Sequence, residues 1–238
     1  MTLSAGCYAA GYVTGLLAFI WMAYLRRMAN EDIFAILAAG LIGGLLCANV
    51  AQLLVTNTAG KTVLGGIAGG YMFVLIAKRL LGITRPTGDL FAVAICAGEA
   101  VGRWGCFFGG CCYGKPTTMA WAVWQHNAFR HPAQIYLSLA NLLILLVLLF
   151  IQRQSEYRSE SRPGIRLPEN TLFCVQGALY CVARFLIEFW RFTPDAGLLT
   201  RAQWACMAGF VFFCVYLFRL LRPVGNITVL ASSSCFPF

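Results

Sequence analysis

Apolar residues in this chain come in long unbroken runs, without the alternation of a half-buried strand or the single stripe of a soluble amphipathic helix. Seven runs, at 6–25, 33–55, 62–82, 88–108, 132–151, 170–190 and 203–221, approach the ~20 residues needed to cross a bilayer. Glycines and charges interrupt the third and fourth. The pattern predicts an all-α integral membrane protein with about seven transmembrane helices, built as a single domain over 1–238. Two connections are long. Residues 109–131 carry Trp121 and Trp124, which suit a headgroup boundary; this predicts an interfacial loop that lies along the membrane or caps a site. Residues 152–169 are polar, contain Pro163 and Pro168, and predict a solvated loop.

Composition agrees. The 238 residues are 60% hydrophobic and 11% charged, with mean hydropathy +0.73, against roughly 25% charged residues in a soluble domain. The formal charge of +9 follows topology rather than nucleic acid, because no basic cluster alternates with aromatics. Eleven cations (Arg26, Arg27, Lys78, Arg79, Arg85, Arg153, Arg158, Arg162, Arg166, Arg219 and Arg222) fall in alternate connections. Lys61, Lys115, Arg130, Arg191 and Arg201 fall on the opposite side. The positive-inside rule then sets the N-terminus outside and the C-terminus inside. In a bacterium this makes a multi-pass inner-membrane protein with 109–131 periplasmic and 152–169 cytoplasmic. The first run lacks a positive n-region and predicts a span rather than a cleaved leader. Ser4-Ala5-Gly6-Cys7 has a lipobox-like look, but no hydrophobic segment precedes it.

Two arginines lie inside spans. Arg103 follows Glu99 by four residues, and Arg184 precedes Glu188 by four, with Arg191 a further turn on. An ionisable residue at bilayer depth costs at least ~2.5–3.5 kcal/mol and marks a functional site by default. One reading is a guanidinium clamp on a phosphate; the other is a structural Arg–Glu pair that stitches helices. Gly65 and Gly66, with Gly69, Gly70 and the glycines of the second span, either let helices approach closely or open backbone to a lipid headgroup.

Cys106, Cys111 and Cys112 lie at the end of the fourth span, around Gly109-Gly110. Neighbouring arginine or free N–H groups would favour the thiolate, and either Cys111 or Cys112 then suits a base or a nucleophile. A disulfide from Cys106 to one of them is the alternative. There is no C-x-x-C and no histidine at ligand spacing, so neither metal nor cofactor is expected. Cys47, Cys96, Cys174, Cys181, Cys206 and Cys214 fall on apolar faces as small hydrophobes. His131, just before Pro132 at a helix start, suits either a general acid/base or a cap that orients the loop.

Taken together, these residues resemble a known family. G-R-W-G-C-F-F-G-G-C-C-Y-G from Gly102 resembles the signature G-R-x-G-N-F-x-N-x-E-x-x-G of bacterial phosphatidylglycerol–prolipoprotein diacylglyceryl transferases, matching at Gly102, Arg103, Gly105, Phe107 and Gly114. R-H-P-A-Q-I-Y at 130–136 is similar to the family's R-H-P-S-Q-L-Y. R-F-L-I-E-F-W-R at 184–191, with Pro194-Asp195 after it, is similar to R-x-x-x-E-F-x-R-x-P-D. Tyr8 and Gly15 fit the first span. The resemblance implies transfer of diacylglycerol from phosphatidylglycerol to a precursor's cysteine thiol, with glycerol phosphate leaving. It implies that Arg103 and Arg184 hold the donor phosphate and that Tyr8, Glu188 and Arg191 shape the site. The residues themselves add Cys111, Cys112 and His131 as catalytic candidates and Gly65, Gly66, Glu99, Cys106, Gly114 and Tyr136 as candidates for lining the substrate. Departures are concentrated in the polar half: Leu64 stands for the family's histidine, Cys106 and Gly109 for its asparagines, and Cys111 for its glutamate. Leu137 replaces the glutamate after Tyr136, and an arginine of the second span is missing.

Three functions compete at this point. The first is a transferase with an anionic phospholipid donor and an unnamed acceptor, a lipoprotein precursor or a small thiol among the candidates. The second is a membrane thiol protein for redox or soft metal or metalloid chemistry through Cys106, Cys111 and Cys112. The third is a non-catalytic lipid-binding scaffold or small transporter.

Overall fold

The computed structural model describes residues 3–56, 63–161, 167–193 and 197–222. Lys61, Arg162, Pro163, Arg166, Pro194, Asp195 and the tail beyond Arg222 lie outside them, as do the side chains of Leu64 and Arg158. Seven helices form: α1 (Leu3–Leu25), α2 (Glu31–Thr56), α3 (Val63–Leu80), α4 (Gly88–Phe108), α5 (Ala133–Ser161), α6 (Thr171–Glu188) and α7 (Arg201–Leu221). Six are long and apolar enough to cross a membrane. The shorter α3, with four glycines and a Lys78-Arg79 end, is not among the six. The chain is a multi-pass, all-α membrane protein. Helix α5 continues ten residues past the expected end of its span. The reason is local: 152–161 contains neither Gly nor Pro, and Gln152 donates to Glu156 one turn on at 2.7 Å.

Two compact units divide the described chain. One runs from Ala23 to Pro86 and is the α2–α3 hairpin. Asn30 caps α2 by accepting from the Ile33 N–H at 3.0 Å, and Glu31 and Asp32 follow in its first turn. The glycines here pack helices: a Cβ on Gly70 would approach the Gly40 carbonyl oxygen to 3.1 Å, and one on Gly66 would touch Ala48 and the Gly44 carbonyl at 3.5 Å.

The other unit holds residues up to Met22 and from Thr87 onward. In it, Gly11-x-x-x-Gly15 of α1 interlocks with Gly98-x-x-x-Gly102 of α4. A Cβ on Gly11 would lie 2.8 Å from the Gly102 Cα, so the backbones are in contact. Helices α4 and α6 run parallel, and their starts are clamped to each other. The buried Asp89 carboxylate accepts from the Asn170 and Phe173 N–H groups, both at 3.0 Å. In return the Asn170 side-chain oxygen accepts from the Gly88 N–H at 3.1 Å. Asp89 thereby serves as the N-cap that Asn170, with φ +70, does not supply to its own helix.

The expected loop at 109–131 contains an element the periodicity missed. Strands β1 (Val123–Gln125) and β2 (Ala128–Arg130) form an antiparallel hairpin. Its two turn residues, His126 and Asn127, both have positive φ (50° and 58°), as a two-residue hairpin turn requires. Trp121, Trp124 and Phe129 on this hairpin region are exposed.

Candidate functional site

The site is built where α4 and α6 end. Arg103 makes a bidentate pair with Glu99, from Nε at 3.2 Å and from Nη2 at 2.9 and 3.0 Å. Asn141 of α5, fully buried, donates to the same carboxylate at 3.3 Å. On α6, Arg184 donates to Glu188, whose other oxygen accepts from Thr193 at 3.3 Å. Arg191 approaches Glu188 to 3.7 Å. Both expected i,i+4 pairs therefore form, and each guanidinium in this state is neutralised along its own helix. Glu188 is the most enclosed of these groups at 3% exposed, against 12% for Arg184 and 16% for Arg103.

Tyr180, one turn before Arg184, lies within electrostatic reach of Glu99, Arg103 and Arg184. Nη1 of Arg103 has no partner among the described residues. Beside Glu188 and Arg191 opens a cavity of about 230 Å³, lined also by Lys115, Thr193, Thr200 and Gln203.

The cysteines come together over the end of α4. The helix stops at Gly109, and Gly110 (φ +65) and Cys112 (φ +60) turn the chain back. The Sγ atoms of Cys106, Cys111 and Cys112 all lie within 4.8 Å of one another, and all three are free thiols. Tyr8 of α1 donates to Cys106 Sγ at 3.3 Å and lies 3.7 Å from Cys111 Sγ. Side chains from the hairpin and α5 hold the reversed loop. Gln125 donates to the Phe107 carbonyl at 3.3 Å, the His126 ring meets the Gly110 carbonyl at 2.6 Å, and Gln134 donates to the Cys111 carbonyl at 2.7 Å. These contacts occupy carbonyls that a helix end otherwise leaves open. Cys112 lies beyond the span, and its thiol is lowered to about 6. The hydrogen bond from Cys106 is the largest cause, aided by Arg191 and Arg103 and opposed by desolvation and Cys111.

Gly114 fits where no side chain could: a Cβ would run into the His131 carbonyl and come within 2.8 Å of the Trp190 carbonyl. The strand-like segment at Tyr113–Lys115 lies between 129–131 and 190–192. Gly114 N–H donates to His131, Lys115 N–H to Trp190, and Phe192 N–H to Tyr113. His131 is buried, and its ring meets the Tyr136 hydroxyl at 3.1 Å, which also accepts from Trp121 at 2.7 Å. These bonds make His131 and Tyr136 fasteners of the loop. Arg130 is a third, stacked over Tyr113 and Phe192. Gly65 and Gly66 stand on α3 in the other unit.

Sequence reasoning missed Tyr180, Asp89, Asn170 and the α5 stripe of Gln134, Ser138 and Asn141. That stripe had a signal: polar residues at i, i+4 and i+7 inside an apolar run, all buried.

Known proteins carry related sequences. The family described as prolipoprotein diacylglyceryl transferase matches over residues 2–219. A phosphatidylglycerol–prolipoprotein diacylglyceryl transferase of Clostridium tetani is 29% identical over 223 residues, covering 82% of this chain and 85% of that protein. One of Frankia alni is 34% identical over 187 residues, covering 74% of this chain but 47% of its own length. One of Gloeobacter violaceus is 35% identical over 173 residues, covering 67% and 59%. The chain thus spans about half to most of the relatives it matches. With residues 2–219 matched by the family model, this chain belongs to the prolipoprotein diacylglyceryl transferase family.

Proposed function

We propose that this protein takes an anionic, phosphatidylglycerol-like phospholipid as donor and transfers its diacylglyceryl group to a thiol. The observation that carries this reading is a pair of largely buried guanidiniums on two packed helices, each fixed by a carboxylate one turn away, with Arg103 Nη1 left without a partner among the described residues. The family's printed activity supports the same donor and a prolipoprotein acceptor.

In this reading the donor phosphate lies between the two guanidiniums. Glu99 and Glu188 fix the guanidinium planes, and the N–H groups not spent on carboxylate, Arg103 Nη1 first, meet phosphate oxygens. The acceptor thiolate attacks the glyceryl carbon. A C–S bond forms, the C–O bond to phosphate breaks, and glycerol phosphate leaves with its charge held by both arginines. Lys115, Arg191 and Thr193 make the adjoining cavity a suitable mouth for the polar headgroup. The N-terminus stands outside, and exposed Trp121 and Trp124 rest on the outer headgroup layer. The donor then enters sideways from the outer leaflet of the inner membrane.

The test is mass spectrometry of lipids and of glycerol phosphate, with purified protein in phosphatidylglycerol vesicles, with and without a lipobox peptide. Peptide-dependent release that needs Arg103 and Arg184 is the expected result. An intact lipid pool with a tightly held phospholipid would instead favour a scaffold.

A further inference from the structure

The three cysteines over the end of α4 are not used by the donor site. We propose that Cys106, Cys111 and Cys112 together form a binding site for a soft, thiophilic metal ion.

Geometry comes first. A tetrahedral thiolate ion with metal–sulfur bonds of about 2.3 Å holds its sulfurs about 3.8 Å apart. The three Sγ atoms already lie within 4.8 Å of one another, so side-chain rotations of about 1 Å close the site. The chain is built to bring them there. In an unbroken helix Cys106 and Cys111 would stand about 7.5 Å apart along the axis. The Gly109–Gly110 turn reverses the backbone, and Cys112 accepts a left-handed φ of +60° to complete it, a conformation that costs a non-glycine residue about 1 kcal/mol or more. Gln134, fully buried, and His126 tie this turn down from two other elements.

Charge and ligand type come next. Three thiolates carry three negative charges. Arg103 and Arg191 lie within electrostatic reach of Cys112 and offset what the ion leaves uncompensated. An all-sulfur donor set selects soft ions and disfavours magnesium or calcium. Tyr8 supplies the outer layer such sites use, with its hydroxyl on two of the sulfurs. Cys106 forms the buried floor and Cys111 the exposed edge, so an ion has a path in. Three protein sulfurs leave the fourth corner of a tetrahedron free, the arrangement of sites that take an exogenous ligand.

The site does not depend on the transferase reading, so it is tested without lipid turnover. Reduced, metal-free protein in detergent is titrated with cadmium(II), followed by thiolate-to-metal charge-transfer absorption. Alkylation before and after loading is mapped by mass spectrometry. One equivalent should bind, with Cys106, Cys111 and Cys112 protected together. Cys111→Ser and Cys112→Ser should each weaken binding by more than about 100-fold, exceeding the 10–100-fold typical of outer-layer changes. Cys47→Ser and Cys181→Ser should leave it unchanged. Protection mapped to other cysteines, or no stoichiometric binding by protein whose thiols are verified as reduced, overturns the proposal. The wild-type mapping decides even if a variant fails to fold.

Discussion

The two ends of the α4–α6 pair face opposite demands and are built differently. At the start, one carboxylate, Asp89, meets two N–H groups of α6, and Asn170 returns a bond to Gly88. Asp89 is 3% exposed. At the far end, Arg103 pairs with Glu99, Arg184 and Arg191 share Glu188, one Arg103 N–H group has no partner among the described residues, and a cavity adjoins Glu188 and Arg191. Both ends bury charge, and the second keeps a spare donor on Arg103. A polar group buried for stability is expected to be fully matched within the protein. Spare capacity of this kind suits a ligand. The same helix pair is therefore clamped at one end and left receptive at the other.

The sharpest way to break this contrast is to remove the cations. Arg103→Ala and Arg184→Ala should each lower glycerol phosphate release by about 10²–10³, the range seen when one donor to a developing anion is lost. Stability should fall as well, because Glu99 and Glu188 lose their partners; Arg103→Lys and Arg184→Lys, which keep the charge but lose the bidentate fork, should still lower release while Tm changes far less, which separates the function from the fold. Equal loss of turnover and of stability would make the far end structural as well.

The mirror experiment is Asp89→Ala. It leaves the Asn170 and Phe173 N–H groups buried without their acceptor and should destabilise the protein by about 2–3 kcal/mol. Thermal unfolding in detergent is the measurement. Asp89→Asn, which keeps one good acceptor oxygen, should lie between the two. An Asp89→Ala variant with an unchanged Tm would remove the clamp from the account.

Much of this was legible in the sequence, and the boundary has physical causes. Long apolar runs must become helices in a bilayer because no water is present to satisfy free backbone groups, so the seven helices followed from hydropathy. The Arg–Glu pairs followed from their four-residue spacing. The Gly11–Gly102 contact and the Asp89–Asn170 clamp did not, because residues far apart in the chain meet only once topology is fixed. The hairpin was hidden because its strands are three residues long, too short for a period to register. The grouping of Cys106, Cys111 and Cys112 was legible from the helix break at Gly109–Gly110, but their approach to one another was not, because it depends on two positive-φ residues that reverse the chain.

A smaller effect sharpens the electrostatic half of the contrast. In metal-free protein the Cys112 thiol, lowered to about 6, is a thiolate above that pH and a thiol below it. Its alkylation by iodoacetamide should therefore rise about tenfold between pH 5 and pH 7 and then level off, whereas an ordinary cysteine, near 8.5, is still rising steeply at pH 8. Cys106→Ala removes the largest cause, so the midpoint should move up. A Cys112 profile that stays near 8.5 in the wild type would mean that its neighbours do not act on it.

The smallest expected effect concerns how the loop is held over the receptive end. Trp121 donates to the Tyr136 hydroxyl at 2.7 Å, and that hydroxyl meets the His131 ring at 3.1 Å. His131 in turn pairs through its backbone with Gly114 and Lys115. Trp121→Phe deletes one hydrogen bond while keeping an aromatic ring for the headgroup layer, and should cost about 0.5–1.5 kcal/mol. If the loop only caps the end, the loss should show as faster amide exchange at 113–117 with Tm nearly unchanged. At the clamped end, amide exchange around Asn170 and Phe173 should not change, because Asp89, and not the loop, holds those N–H groups.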